Sequence, residues 1–193
     1  VLDAFSQAID ALELPPHDKM EVRVKNLPKT RKIRIRNLRA KHIGKLVEIE
    51  GIVKAASEVR PQIYEAIFQC PECGALIPVE QDGPTLKQPT ICQCGRRGIF
   101  KLVDKKMFDI RWLTVNEPFE ITAGEPPSKI NVLLKRDLTT PSMQRKTDPG
   151  NEVRIVGILK EIPKKVGGKL STRPDLYFEA VYVEPREEEL YDR

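Results

Sequence analysis

CPECGALIPVEQDGPTLKQPTICQCG, residues 70–95, holds all four cysteines of a 193-residue chain. Cys70 and Cys73 form a CxxCG knuckle, Cys92 and Cys94 form a shorter CxCG knuckle, and eighteen residues separate the inner cysteines. That spacing lies in the range of a four-cysteine metal site. Zinc takes four thiolates in a tetrahedron, and a glycine straight after each pair permits the tight turn that aims backbone N–H groups at sulfur. Each pair is therefore expected at the tip of a small hairpin. A disulfide framework suits secreted proteins and fits poorly with flanks that read as ordinary core-forming strands. A redox CxxC requires a βαβ context that the Pro-rich, β-like surroundings do not offer. A zinc deaminase requires HxE before its cysteine pair, and neither His17 nor His42 stands in one. The reading is a structural Zn2+ held by Cys70, Cys73, Cys92 and Cys94, preferred over iron on ligand type alone. A site closed by four thiolates has no open position for catalysis. The tight CxC pair predicts weaker metal binding than two CxxC pairs would give.

The sequence on either side of the knuckles is mostly β in pattern. Expected strands are EVRV (21–24), KLVEIEGIVKAA (45–56), PQIYEAIFQ (61–69), FDIRWLTV (108–115), KINVLLKRDL (129–138), EVRIVGILKEI (152–162) and DLYFEAVYVE (175–184). They alternate: Val47, Ile49 and Val53 oppose Glu48 and Glu50, while Leu176, Phe178, Ala180 and Tyr182 line one face. Gly124-Glu-Pro-Pro, Asp148-Pro-Gly and Gly167-Gly168 are turn signals, and Gly51 and Gly157 lie inside strand patterns where barrels bend or bulge. Before them, Leu2, Phe5, Ile9 and Leu12 recur at helical spacing up to Pro15-Pro16, which predicts an amphipathic helix over residues 1–14. The fold class is mainly β: an OB-type barrel with an inserted four-cysteine zinc ribbon and a short N-terminal helical segment. The expected domains are a helical remnant at 1–20, the barrel at 21–68 and 108–185, the ribbon at 69–107 and an acidic tail at 186–193.

Lys and Arg total 33 against 28 acids, a net charge of +5 that favours a polyanionic partner without specifying one. The cations cluster in KTRKIRIRNLRAKHIGK (29–45), which a solvated face would also explain, and around a Gly-Gly pair at Lys160, Lys164, Lys165, Lys169 and Arg173. The few aromatics in strands, Trp112, Tyr64, Phe68, Tyr177 and Tyr182, are expected to pack in the core. Any DNA contact should then be electrostatic, tolerant of sequence and sensitive to salt. No run of eighteen apolar residues and no signal peptide is recognisable, so the expected location is the cytoplasm, away from any membrane. There is no GxxxxGK[ST]; VGGKLS (166–171) has the wrong spacing and reads as a hairpin turn. With no GxSxG and no partnered histidine, the chain is expected to catalyse nothing itself.

IRNLRAKHIGKLVEIEGIVKAASEVRP (35–61), AIFQCPECG (66–74), NEPFEITAGEPPSKINVLLKRDL (116–138) and DPGNEVRIVGIL (148–159) occur in an order that resembles the N-terminal region of the minichromosome maintenance (MCM) replicative helicases, most of all archaeal ones. The resemblance covers roughly residues 21–184. It implies a noncatalytic tier of a ring-shaped hexamer or double hexamer, bound to DNA in its channel, below a C-terminal ATPase that uses ATP and Mg2+ and is absent from this sequence. It implies that the four cysteines are the zinc ligands, that the zinc ribbon meets a second hexamer, and that the hairpin at 160–173 presents Lys164, Lys165, Lys169 and Arg173 to DNA, single-stranded or also double-stranded, without regard to sequence. It further implies that Thr122 to Lys129 is the loop that couples the two tiers, and that the protein is archaeal and associated with the nucleoid.

The chain departs from that pattern in places. Of the family's basic single-strand-binding set on the barrel only Arg60 matches; the other positions fall on Ala55, Leu113 and Ser128, with Lys54, Arg111 and Lys129 beside them, so Arg60, Lys54, Arg111 and Lys129 are the expected DNA contacts of the barrel. TTPSMQRKTDPG (139–150) is longer than the family's connection, and its Arg145 and Lys146 could add a contact. Two other functions fit the same residues: a structural module that meets only protein, and a stand-alone zinc-ribbon OB protein that binds RNA. Binding of unrelated oligonucleotides, and competition between RNA and DNA, separate them.

Overall fold

The alternation of LVEIEGIVKAA builds the first barrel strand. The computed structural model describes residues 4, 5, 7, 8 and 22–186. It contains β1 (Leu46–Ala56), β2 (Arg60–Gln69), β3 (Leu76–Glu80), β4 (Lys101–Asn116), β5 (Lys129–Lys135), β6 (Glu152–Ile162), β7 (Lys165–Val166), β8 (Lys169–Leu170) and β9 (Asp175–Pro185), with short helices α1 (Phe119–Thr122) and α2 (Pro141–Lys146). Ala4, Phe5, Gln7 and Ala8 are helical, in keeping with the expected N-terminal helix. The rest of that helix, Glu21 and the acidic tail after Arg186 lie outside the described residues.

β1 pairs with β6 from Leu46 to Ile52, then changes partner and pairs with β4 from Ile52 to Ala56. The order β1-β6-β9-β5-β4 thus closes on itself as a five-stranded barrel, antiparallel except for β5 beside β9. That is the OB architecture. Gly51 sits where β1 changes partner: a Cβ there would lie 2.4 Å from Val115 Cγ1 and 2.5 Å from the Asn116 carbonyl oxygen. At Gly157 a Cβ would lie 2.3 Å from the Glu179 carbonyl oxygen, beside the β6–β9 irregularity. Both glycines are needed for close backbone approach.

Val47, Ile49, Val53, Leu113, Val115, Val132, Leu134, Val153, Ile155, Leu159, Phe178 and Val183 fill the barrel. The expected inward stripe on β9 is corrected after Ala180. Val181 is an extra residue between the pairs Gly157–Ala180 and Val156–Tyr182, so the parity flips and Val183 replaces Tyr182 in the core. KINVLLKRDL also ends early as a strand, because Arg136 takes φ 54° and starts a 3₁₀ turn over Arg136–Thr139. Residues 22–24 are not a strand.

The basic run 29–45 forms three 3₁₀ turns, Lys29–Arg31, Ile35–Asn37 and Ala40–His42. Its apolar residues Ile35 and Leu38 are buried in the barrel core, with Ile33 and Ile43 packed against it. The segment is therefore a plug as well as a charged surface.

β4 is sixteen residues long and serves both lobes. Its Lys101–Ile110 stretch pairs with β2, which pairs on its other side with β3, and its Leu113–Asn116 stretch pairs with β1. A second small core, Ala66, Phe68, Cys70, Cys92 and Phe100, fills the ribbon lobe.

Candidate metal centre and nucleic-acid interface

The four cysteine sulfurs lie within 4.8 Å of one another, with Cys70 and Cys94 3.7 Å apart and Cys73 and Cys92 3.5 Å apart. A disulfide requires about 2.05 Å between sulfurs. Four thiolates at about 2.3 Å from a tetrahedral zinc are about 3.8 Å from each other, so this donor set fits the ion. The knuckles form as their glycines suggest. Gly74 (φ 70°) donates its N–H to the Cys70 carbonyl at 3.0 Å, and Gly95 (φ 88°) donates to the Cys92 carbonyl at 2.9 Å. Cys70 and Cys92 are buried against Phe68 and Phe100, while Cys73 and Cys94 face solvent. The Cys73 backbone N–H holds the Cys70 thiol down at about 7, helped by the Glu72 N–H and opposed by burial. At Cys70 alone these N–H groups favour thiolate, the form a metal binds, whereas the neighbouring thiols push Cys73 up and burial pushes Cys94 up. The site could hold a metal ion, consistent with zinc.

The basic hairpin is β7 and β8, which pair only with each other. Gly167 (φ 58°) and Gly168 (φ 79°) make a turn with two left-handed residues, the form that suits a two-residue hairpin. The hairpin stands clear of the barrel, with Lys164, Lys165, Lys169 and Arg173 exposed. Lys164 lies 3.6 Å from Asp175, whereas Lys165, Lys169 and Arg173 have no acidic partner among the described residues. Lys160, at its foot, is instead held by Glu179 on the barrel wall. Burial pushes the Glu179 carboxyl up, but Lys135 and Lys160 on either side outweigh it and hold it below its ordinary value.

Lys129 joins this surface. It pairs across β4 with Asn116 and lines one groove with Leu176, near the start of β9. Lys54, in the β1 bulge, is exposed with its ammonium 5.2 Å from the Phe119 ring. Arg60 is exposed and lies 3.9 Å from Glu58, near the start of the ribbon lobe.

Arg111 is placed otherwise. It points into the barrel mouth and only 8% of its side chain is exposed. Its Nε donates to the Ser57 carbonyl at 3.0 Å and its terminal nitrogens donate to the Gln144 carbonyl, Thr147 Oγ1 and Asp148 Oδ1. A guanidinium so enclosed cannot reach a phosphate. The alternation Arg111, Leu113, Val115 on the inner face was visible in the sequence and would have placed it there.

By the same parity Trp112 faces outwards, with its ring centroid 5.5 Å from Tyr177, and Tyr64 stacks on Phe108 at 5.4 Å. Arg136 lies 5.4 Å from the Tyr64 centroid and 5.0 Å from that of Phe108. Of the aromatics expected in the core, Phe68 alone is fully buried, and in the ribbon lobe. Trp112, Tyr64, Tyr177 and Tyr182 are half-buried on the outer wall.

One polar centre had no sequence signal beyond NEPFE. Glu117, 2% exposed, accepts the Arg36 backbone N–H at 2.9 Å and its Nε at 2.8 Å, and Arg36 also pairs with Glu125. Burial pushes the Glu117 carboxyl up, but Arg36 outweighs it and holds the group below the usual carboxylate range. This ties the 3₁₀ plug to the loop after α1.

No helix among the described residues is long and apolar enough to cross a membrane. Comparison with known proteins gives a consistent answer. Residues 34–163 match the family model described as the MCM OB domain. The chain is 30% identical over 179 residues to the minichromosome maintenance protein MCM of Saccharolobus solfataricus, covering 86% of this chain and 25% of that protein. It is 31% identical over 163 residues to the DNA replication licensing factor MCM4 of Drosophila melanogaster, covering 82% and 18%. It therefore spans a quarter or less of these relatives' lengths. Among solved structures, a crystal structure of the N-terminal domain of an archaeal MCM superposes with a TM-score of 0.72 at 28% identity, covering 95% of this chain and 75% of that one. On this agreement of family model, relatives and fold, the chain belongs to the MCM family and carries its N-terminal OB domain.

Proposed function

We propose that this chain is the DNA-binding and ring-organising tier of a longer MCM-type helicase, and that unwinding is driven by an ATPase domain not included in this sequence. The observation that carries the reading is the isolated basic hairpin. Among the described residues Lys165, Lys169 and Arg173 stand off the barrel without acidic partners, and the exposed Lys129 shares a groove with Leu176 at the start of β9. Strands two and three of an OB barrel and the loop between strands four and five form its usual oligonucleotide surface. Here these are β4, β5 and the hairpin between β6 and β9. Each copy brings only a few phosphate contacts, so binding gains from assembly of several copies, as a hexamer or double hexamer, around one nucleic acid. The contact is to DNA backbone, single-stranded and also double-stranded, without sequence readout.

The ribbon has a different part. A structural Zn2+ on Cys70, Cys73, Cys92 and Cys94 fixes it, and its exposed Leu76, Ile91 and Ile99, the last 83% exposed, offer a surface for a second ring. The Arg36–Glu117–Glu125 tie sets the resting position of the loop that faces the ATPase tier. ATP and Mg2+ belong to that tier, and the chain itself carries out no chemical step. The protein works in the cytoplasm, on the nucleoid.

The test is fluorescence anisotropy with an unrelated labelled oligonucleotide over a salt series, comparing the parent with Lys165→Ala/Lys169→Ala. Each lost phosphate contact flattens the slope of log K against log salt by about 0.7 for single strands and about 0.9 for duplex. Unchanged affinity and slope would remove the hairpin from the DNA path and favour a module that meets only protein, through the apolar residues of the ribbon.

A further inference from the structure

The buried Arg111 has a consequence for the segment 139–150. Its guanidinium holds two separate pieces of chain at once. One is the exit from β1 towards the ribbon: Arg111 Nε donates to the Ser57 carbonyl, the Ser57 N–H donates to the Trp112 carbonyl at 2.8 Å, and the Trp112 N–H donates to Ser57 Oγ at 3.0 Å. The other is the C-terminal end of α2: Arg111 donates to the Gln144 carbonyl at 3.2 Å, Thr147 Oγ1 at 2.9 Å and Asp148 Oδ1 at 3.2 Å. Arg60 follows the first piece by three residues, and Arg145 and Lys146 lie within the second. All three are exposed.

The α2 segment is held at further points. Asn151 Nδ2 donates to the Arg145 carbonyl at 2.8 Å, Gln144 Nε2 to the Thr139 carbonyl at 3.0 Å, and the Gly150 N–H to the Val53 carbonyl at 2.8 Å. Thr147 is fully buried. A surface segment fixed by this many bonds has little conformational freedom left to lose when it binds. Arg145 and Lys146 have no acidic partner among the described residues, whereas Arg60 has Glu58 at 3.9 Å and Arg111 is balanced by Asp148.

We propose that Arg145 and Lys146 form a second nucleic-acid backbone contact, separate from the hairpin and additional to the barrel position Arg60 that the family resemblance already assigns to single strands, and that Arg111 is the positioning residue that holds them against the exit from β1. The proposal rests on the reading of the chain as a DNA-binding tier. It gives the buried cation a role in DNA binding without any contact to DNA, and it gives the long 139–150 connection a function.

The experiment is a salt series of oligonucleotide binding by the whole chain and six variants. Arg145→Ala/Lys146→Ala removes two phosphate contacts, so the slope should flatten by about 1.4 for a single strand. Arg111→Met should lose a similar amount, and the triple variant Arg111→Met/Arg145→Ala/Lys146→Ala should lose no more than either. Asp148→Asn, at a half-exposed partner that leaves the barrel folded, weakens Arg111's hold on α2 and should give a smaller loss in the same direction. Combined with Lys165→Ala/Lys169→Ala, the Arg145→Ala/Lys146→Ala losses should add, because the two sites are separate. Unchanged binding by Arg145→Ala/Lys146→Ala, while the hairpin variant is impaired, overturns the second site and leaves the wider reading intact. Additive losses from Arg111→Met and Arg145→Ala/Lys146→Ala overturn the positioning role. No dependence on any of these residues overturns the wider reading itself.

Discussion

Replacing Glu117 by alanine should destabilise this domain far more than the loss of one surface carboxylate. Glu117 is 2% exposed and accepts two bonds from Arg36, whose side chain is 21% exposed. Breaking a buried ion pair from one side typically costs 3–5 kcal/mol, because the remaining charge is left buried and unpaired. Glu125 stays within reach of Arg36, so the expected loss is at the low end, about 3 kcal/mol. For a chain of this size that lowers Tm by about 6–12 °C. Glu117→Gln keeps an acceptor for the Arg36 N–H and should lose about half as much, roughly 1–2 kcal/mol. Thermal melts at neutral pH measure both. The sign with pH also follows: the folded-state value of Glu117 is depressed, so its contribution is complete above the ordinary carboxylate range and is lost as pH falls through the folded value. The parent should therefore lose stability on acidification more steeply than Glu117→Gln. A Tm within 2 °C of the parent for Glu117→Ala, with unchanged acid sensitivity, would refute the claim that this pair joins plug and loop.

Two further outcomes follow from the metal centre and the barrel seams. Elemental analysis should give one zinc per chain, and a strong chelator should release the amide protection of β3 and the knuckles while the strands of the barrel, with their own core, keep theirs; equal loss throughout would show one cooperative unit. Gly157→Ala should destabilise by about 3 kcal/mol or more, because its Cβ would press on the Glu179 carbonyl at 2.3 Å, whereas Gly168→Ala, with open space and φ 79°, should cost only about 1–2 kcal/mol and leave the barrel core unchanged; denaturant melts giving equal effects would contradict the seam assignment.

The strands that form the barrel were legible because one face of each is buried: Val47, Ile49 and Val53, or Val153 and Ile155, alternate as a half-buried strand must. The cysteine pairs were legible because ligand spacing is local. β3 and the Lys101–Met107 part of β4 were not, since their sheet covers a very small core and every residue from Lys101 to Met107 is exposed, which removes the hydrophobic period. The run 29–45 shows a strand-like alternation yet folds as 3₁₀ turns, because Ile35 and Leu38 plug the barrel instead of extending a sheet. The Tyr182 face was misread because a one-residue bulge leaves no sign in the hydrophobic pattern. Arg111 was grouped with the DNA-facing cations by its position in the chain, although its alternation with Leu113 and Val115 already set it on the inner face. Lys164, Lys165, Lys169 and Arg173 cluster in sequence around a turn, so their shared surface was visible early.

The most direct measurement is the mass of the assembly formed with DNA, by light scattering across a dilution series of the metal-loaded chain with and without an oligonucleotide of unrelated sequence. The expected result is a ring-sized species near six times the 22.0 kDa of one chain that carries the oligonucleotide and releases it as salt is raised. A chain that stays monomeric at every concentration and neither binds nor assembles on DNA would contradict it.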